Sequence, residues 1–173
     1  FHLPMTSAAI YLGHFEKTRE DIAILLQKDQ VKISKTRFHL SDKEHQLITT
    51  SAVNDTAFLH RVYGLNFTVS GGKINPIDAQ DILKPVNVSR KELGHLFKCR
   101  YITNNGSDNI LIQSEKKSAE SIQHDIERVK NLTYGGLDRL HRFVRLWRKA
   151  GLSIGELDFL IGVAVDTGMA SDI

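Results

Sequence analysis

The sequence has little of what staples, anchors or arms a protein. Its single cysteine, Cys99, excludes any internal disulfide. No positioned base can be read beside Cys99, so a free core thiol is expected rather than a reactive one. No apolar run reaches the roughly 20 residues that a membrane-spanning helix needs. The segment from Phe1 to Ser7 lacks the charged and apolar regions of a signal peptide. The chain opens on Phe1 without an initiator methionine, which reads as a fragment of a longer protein.

Catalytic and metal-binding patterns are also missing. The eight histidines are scattered from His2 to His141, with no H-E-x-x-H spacing and no Cys-His cluster, so no metal site is expected. There is no G-x-S-x-G motif, and isolated Ser, His and Asp residues make no triad. Gly71-Gly72 is not followed by the Lys-Ser/Thr of a phosphate-binding loop and reads as a turn. Glu156 and Asp158 lie about 200° apart on a helix and cannot converge as an acid/base pair. No catalytic residue and no cofactor are therefore expected, and the chain does not read as an enzyme.

What remains is an ordinary globular composition, 41% hydrophobic and 25% charged, in a length that is most simply one domain. A net charge of +3 is too small to argue nucleic-acid binding by itself.

The strongest local signal is the run from Leu137 to Ile161. Leu137, Leu140, Phe143, Val144, Leu146, Trp147 and Ala150 share one arc of a helix. Asp138, His141, Arg142, Arg145, Arg148 and Lys149 share the opposite arc, expected to be a solvated outer face. Gly151 suits a left-handed helix end, and Ser153 with Glu156 forms a capping box for a second helix, with Leu152 and Leu157 as its staple. Arg139 sits at the edge of the apolar arc and needs an acceptor or a path to water. A structural ion pair with Asp158 on the next helix is the first expectation, and an Arg139 that curls out to solvent is the alternative.

The same [ST]-x-x-[DE] cap recurs at Thr18, Ser41 and Ser89, the last flanked by Val88 and Leu93. Helices are expected from Thr6 or Ser7 to Phe15, from Thr18 with Ile22, Leu25 and Leu26 inward, from Ser41 to about Thr50, and from Asp55 to Gly64. A short helix from Asp78 should stop before Pro85. Val31 to Leu40 reads as a basic connection. Tyr101-Ile102-Thr103 and Ile110 to Gln113, around Asn104 to Asp108, read as a small hairpin, with Ile126 to Leu132 as a third strand. The expected fold is mainly α: stacked helical hairpins with a small β-hairpin or three-stranded insert. Its parts are helical hairpins over 1–63, a helical hairpin over 78–98, a β insert over 99–132 and a C-terminal hairpin over 137–166. The repeat spacing is irregular, so no strict solenoid period is read.

Leu137, Arg139, Leu140, His141, Arg142, Phe143, Val144, Arg145, Leu146, Trp147, Arg148, Lys149, Gly151, Ser153, Glu156, Leu157 and Asp158 fit an L-x-R-[IL]-H-R-F-[IV]-R-L-W-R-K-x-G-W-S-x-x-E-L-D pattern. In this run the chain resembles the shell of the A component of insecticidal toxin complexes (Tc toxins), with plasmid virulence A proteins as relatives of that segment. Leu152 departs from the family's usual tryptophan. Leu3, Pro4, Tyr11, Leu12, Arg19, Asp21 and Ile22 resemble a helical pair of the same shell, and the Ser89 box resembles a further helix there.

The resemblance implies a structural segment in a secreted, multimeric bacterial toxin subunit, pentameric, that docks B–C components. Other regions of such a subunit engage a host receptor and insert a translocation channel into the membrane. It also implies a mechanical role, opening when conditions change, with His141 as a pH sensor at a subunit contact. Two alternatives are a nucleic-acid-binding helical module, using the basic arc of Arg142, Arg145, Arg148 and Lys149, and a freestanding virulence effector. Asp138 and His141 interrupt that arc and no aromatic interleaves with it, so nucleic acid is not the expected partner. Five of the eight asparagines (Asn54, Asn66, Asn87, Asn105 and Asn131) lie in N-x-[ST] triplets. Glycosylation would explain them, but the missing signal peptide and disulfides speak against it.

Overall fold

The computed structural model describes residues 29–120 and 126–167, with Thr18, Glu20, Asp21, Ile24, Ile122 and Gln123 besides. The helix expected over 6–15 lies outside the described residues, as do Ile22, Leu25 and Leu26, expected to face inward. Among the described residues, seven helices longer than a turn and two small antiparallel sheets make the fold mainly α with a small β insert. The chain divides into two compact units, residues 1–47 and 48–173.

In the first unit, α1 (Gln30–Arg37) occupies the segment expected to be a connection. The carboxylate of Asp29 accepts from the Lys32 backbone N–H at 2.8 Å and so starts the helix. The helix buries no residue. Without an apolar stripe it gives no periodic signal, which is why its sequence reads as irregular. Helix α2 (Asp42–Thr49) follows.

The second unit holds the core. Helix α3 (Thr56–Tyr63) is capped by Asp55 and ends at Gly64, whose φ of 67° is left-handed. Gly71 and Gly72, with φ of 58° and 75°, turn the two-residue hairpin of β1 (Val69–Ser70) and β2 (Lys73–Ile74). Helix α4 (Ala79–Val86) passes through Pro85 rather than stopping before it. Proline sits in the last turn, where the helix is already ending, and left-handed Asn87 closes it by donating to the carbonyls of Leu83 and Lys84. Helix α5 (Arg90–Leu96) begins at the Ser89 box.

The β insert differs in membership from the expectation. Tyr101 to Thr103 is not a strand. It lies in a helical turn closed by Thr103 N–H to Cys99 O and Asn105 N–H to Arg100 O. Its start is fixed by Asp158, whose carboxylate accepts from the backbone N–H groups of Arg100 (2.9 Å) and Tyr101 (3.0 Å). The three-stranded sheet runs β3 (Ile77–Asp78), β5 (Ile126–Lys130), β4 (Leu111–Glu115), all antiparallel. Val129 is opposite both Ile77 and Ile112, so these three share the inward face. Glu115 pairs with Arg128 and Lys130 on the other face.

The long helix α6 (Tyr134–Ala150) and α7 (Ile154–Asp166) form the expected C-terminal hairpin. Left-handed Gly151 ends α6, and the Trp147 indole donates to Leu152 O at 2.9 Å across the turn. Leu59, Ile82, Leu93, Leu96, Ile102, Leu132, Leu137 and Leu140 are fully buried around this hairpin. Each contributes about 2–3 kcal/mol by leaving water. Cys99 is buried among them, and burial pushes its thiol up to about 12, so it is an inert core cysteine. On the far side of α7, Phe159, Leu160 and Val163 are exposed.

Candidate functional site

All four expected capping boxes form. The hydroxyl of Thr18 accepts from Asp21 N–H, and that of Ser41 from Glu44 N–H. Ser89 with Glu92 and Ser153 with Glu156 close their boxes in both directions. Those hydrogen bonds hold the Glu92 and Glu156 carboxyls below the usual carboxylate range.

The polar arc of α6 is a solvated face only at its C-terminal end, where Arg148 and Lys149 are exposed. Asp138, His141 and Arg142 are each at most 5% exposed. The segment that enters α3 covers them. Asp138 accepts from the Ser51 hydroxyl (2.9 Å) and the Ala52 N–H (2.8 Å). Arg142 donates from Nε to Ile48 O (2.7 Å) and from Nη2 to Thr49 O (3.2 Å), and its Nη1 lies 3.6 Å from the Asp138 carboxylate. The two charges therefore clamp residues 48–52 onto the helix, and each finds hydrogen bonds that offset its desolvation.

Arg139 does not pair with Asp158. Its Nη2 meets the Asp108 carboxylate and its Nε donates to Ile102 O at 3.0 Å. Asp158 is already engaged by the backbone at Arg100 and Tyr101, so it has no call on a side-chain cation. The requirement read from the sequence, an acceptor for Arg139, is met by the 102–108 loop instead of the neighbouring helix.

His141 is buried within this chain, 5% exposed. Its ring packs edge-on to Phe58 with centroids 5.5 Å apart, and its Nδ1 accepts from Arg145 Nε at 3.0 Å. Burial, then the neighbouring Arg145 charge, lowers its pKa to about 4. It stays neutral through the range in which a histidine sensor would switch.

Sequence reasoning missed the concave surface that His141 shares with Arg145 and Arg148. A cavity of about 260 Å³ opens between α3, the end of α4 and α6, with these three as its polar lining. Its signal in the sequence was the basic arc itself, read as outward-facing. A second cavity, of about 180 Å³, lies between the 100–105 turn and α7. Its arginines are matched by acids, Arg100 with Asp166 at 3.7 Å and Arg139 with Asp108. Among the described residues no group of three His, Cys, Asp or Glu side chains is placed to hold a metal, and no helix is long and apolar enough to cross a membrane.

The excess of N-x-[ST] triplets has a conformational basis in part. Asn87, Asn105 and Asn131 all have left-handed φ, of 52°, 53° and 60°. Asparagine is the side chain that tolerates this region best after glycine. Two residues later Ser89 and Thr133 cap α5 and α6. A left-handed asparagine leading into a hydroxyl cap writes the triplet without any glycan. Asn54 and Asn66 lie outside helices and strands, and nothing in the structure explains their triplets.

Comparisons with protein-family models, with curated proteins and with solved structures return no match to this chain.

Proposed function

We propose that the chain is a non-catalytic wall segment of a secreted, multimeric bacterial toxin subunit of the Tc A type. The observation that carries the reading is the α6–α7 hairpin. The residue pattern from Leu137 to Asp158 falls on two capped helices and a Gly151 turn. Much of the pattern's charge serves construction: Arg139, Arg142 and Arg148 each donate to backbone carbonyls, and Asp158 receives backbone N–H groups. Residues spent in this way make a rigid wall element rather than a reactive site. The exposed Phe159, Leu160 and Val163 of α7 then face neighbouring helices of the assembled shell, which removes them from water. Other copies of the subunit are the partners in this reading. B–C components, a host receptor and the target membrane are engaged by other regions of the subunit.

A photo-crosslinking residue in place of Phe159 in the native full-length protein tests it. Crosslinks to other helices of the same assembly are expected. A Phe159 position that crosslinks to nothing but solvent-quenched product in an assembled particle would overturn the wall assignment.

A further inference from the structure

We propose that the cavity between α3 and α6 binds a small organic oxyanion, a carboxylate or phosphate carried on a short apolar body. This goes beyond the shell reading and does not depend on it.

The argument starts from charge. Arg145 and Arg148 stand three residues apart on α6 and both line the cavity. Among the described residues neither forms a salt bridge, although Arg37, Arg90, Arg100, Arg128, Arg139 and Arg142 each have an acid, and the Glu92 carboxylate acts on Arg148 only from a distance. Arg145 spends its Nε on His141 Nδ1, and Arg148 spends its Nη2 on the carbonyls of Val86 and Asn87. These bonds hold both guanidinium groups in place and leave further N–H donors on each. A neutral His141 accepting at Nδ1 carries its proton on Nε2, another donor. Two cations held by these bonds, with spare donors and no salt-bridged carboxylate among the described residues, are complementary to a carboxylate or a phosphate.

The rest of the wall is apolar: Val62 and the Tyr63 ring from α3, Val86 from α4 and Val144 from α6. The Tyr63 hydroxyl donates to Leu137 O at 2.9 Å, so its proton is not available to a ligand. Arg148 is exposed and Arg145 half-buried, so the charged end lies toward the mouth. At about 260 Å³ the cavity sits just below the usual range for small-molecule sites and excludes a nucleotide-sized body. The charged and titratable groups acting on His141 are Arg145, Asp138 and Arg142, all on its own helix, while α3 faces it with the rings of Phe58 and Tyr63.

The test uses the whole chain, with phenyl phosphate and benzoate as probes and benzyl alcohol as the neutral control. Binding is read by NMR from the His141 imidazole and by calorimetry. At least one anionic probe is expected to bind with Kd below about 1 mM, to weaken with added NaCl, and to raise the His141 pKa, since an anion favours the imidazolium. The tighter of the two probes names the oxyanion. Inorganic phosphate, which does not use the apolar wall, should bind about tenfold more weakly than phenyl phosphate. Folded Arg145→Gln should lose about tenfold or more in affinity. Arg145→Lys keeps the charge without the fork, should lose several-fold, and serves if Arg145→Gln does not fold. Absence of any His141 response in the wild-type chain at millimolar probe, or equal binding of benzyl alcohol, would overturn the proposal.

Discussion

Replacing Asp138 by alanine should be among the most damaging single changes in the chain. The carboxylate is 2% exposed, accepts from Ser51 and Ala52, and faces Arg142 at 3.6 Å. Its removal leaves a 5% exposed arginine without its counter-charge and a part-buried backbone N–H without its acceptor. Breaking one side of a buried pair costs about 3–5 kcal/mol. That is a large part of the ~5–15 kcal/mol that holds a domain folded, and corresponds to a fall in Tm on the order of 10 °C or more. Arg142→Met alone should cost somewhat less, because methionine fills the space and the Ile48 and Thr49 carbonyls lie close enough to the surface to take water. The double variant should be less damaged than the sum of the two singles by about 1 kcal/mol or more, since no unpaired charge is left. Urea unfolding of all four proteins measures this cycle. An Asp138→Ala effect below about 1 kcal/mol, or strict additivity, would refute the clamp.

Other consequences are more local. His141 has a folded pKa of about 4 against an ordinary value of 6.5, so the unfolded chain takes up its proton first. Stability should be flat above about pH 7 and fall between pH 6.5 and 4, by about 1–2 kcal/mol after screening by water in the cavity, and His141→Gln should flatten that part of the profile. Ser153→Ala should cost about 1 kcal/mol through loss of the α7 box, read by thermal melting, while Asn131→Gly should be near neutral and Asn131→Ala destabilising by about 1 kcal/mol, since only the latter resists a φ of 60°. Fluorescence anisotropy with random duplex DNA should show no steeply salt-dependent binding, because Arg142 is buried and Arg148 is partly committed to carbonyls. A steep salt slope would revive the nucleic-acid reading.

What the sequence made legible was local. The four capping boxes, the Gly64 and Gly151 helix ends and the Gly71-Gly72 turn depend on residues within four positions of each other, and all stand in the structure. The apolar arc of α6 was also readable, because its period is intrinsic to the helix. Partnership across the chain was not. Polarity on Asp138 and Arg142 signals a need for hydrogen bonds, and water or residues 48–52 answer that need equally well in one dimension. Arg139 shows the same limit. Its position told that it needed an acceptor, but the acid came from Asp108, 31 residues earlier, in a loop without periodicity. Tyr101 to Thr103 has strand-like composition, yet two N–H groups held by Asp158 from α7 turn it into a helical turn. The cavity of Arg145 and Arg148 was hidden for a related reason: a basic arc gives the charges, and only the packing of α3 and α4 against α6 makes them concave.

The size of the native protein tests most directly the proposal that this chain is a wall segment of a large toxin assembly. Native mass spectrometry with particle imaging should find a multimeric cage, fivefold by the resemblance, in which the α6–α7 hairpin forms part of the outer wall. A small monomer would contradict the account and leave a freestanding virulence effector as the reading to pursue.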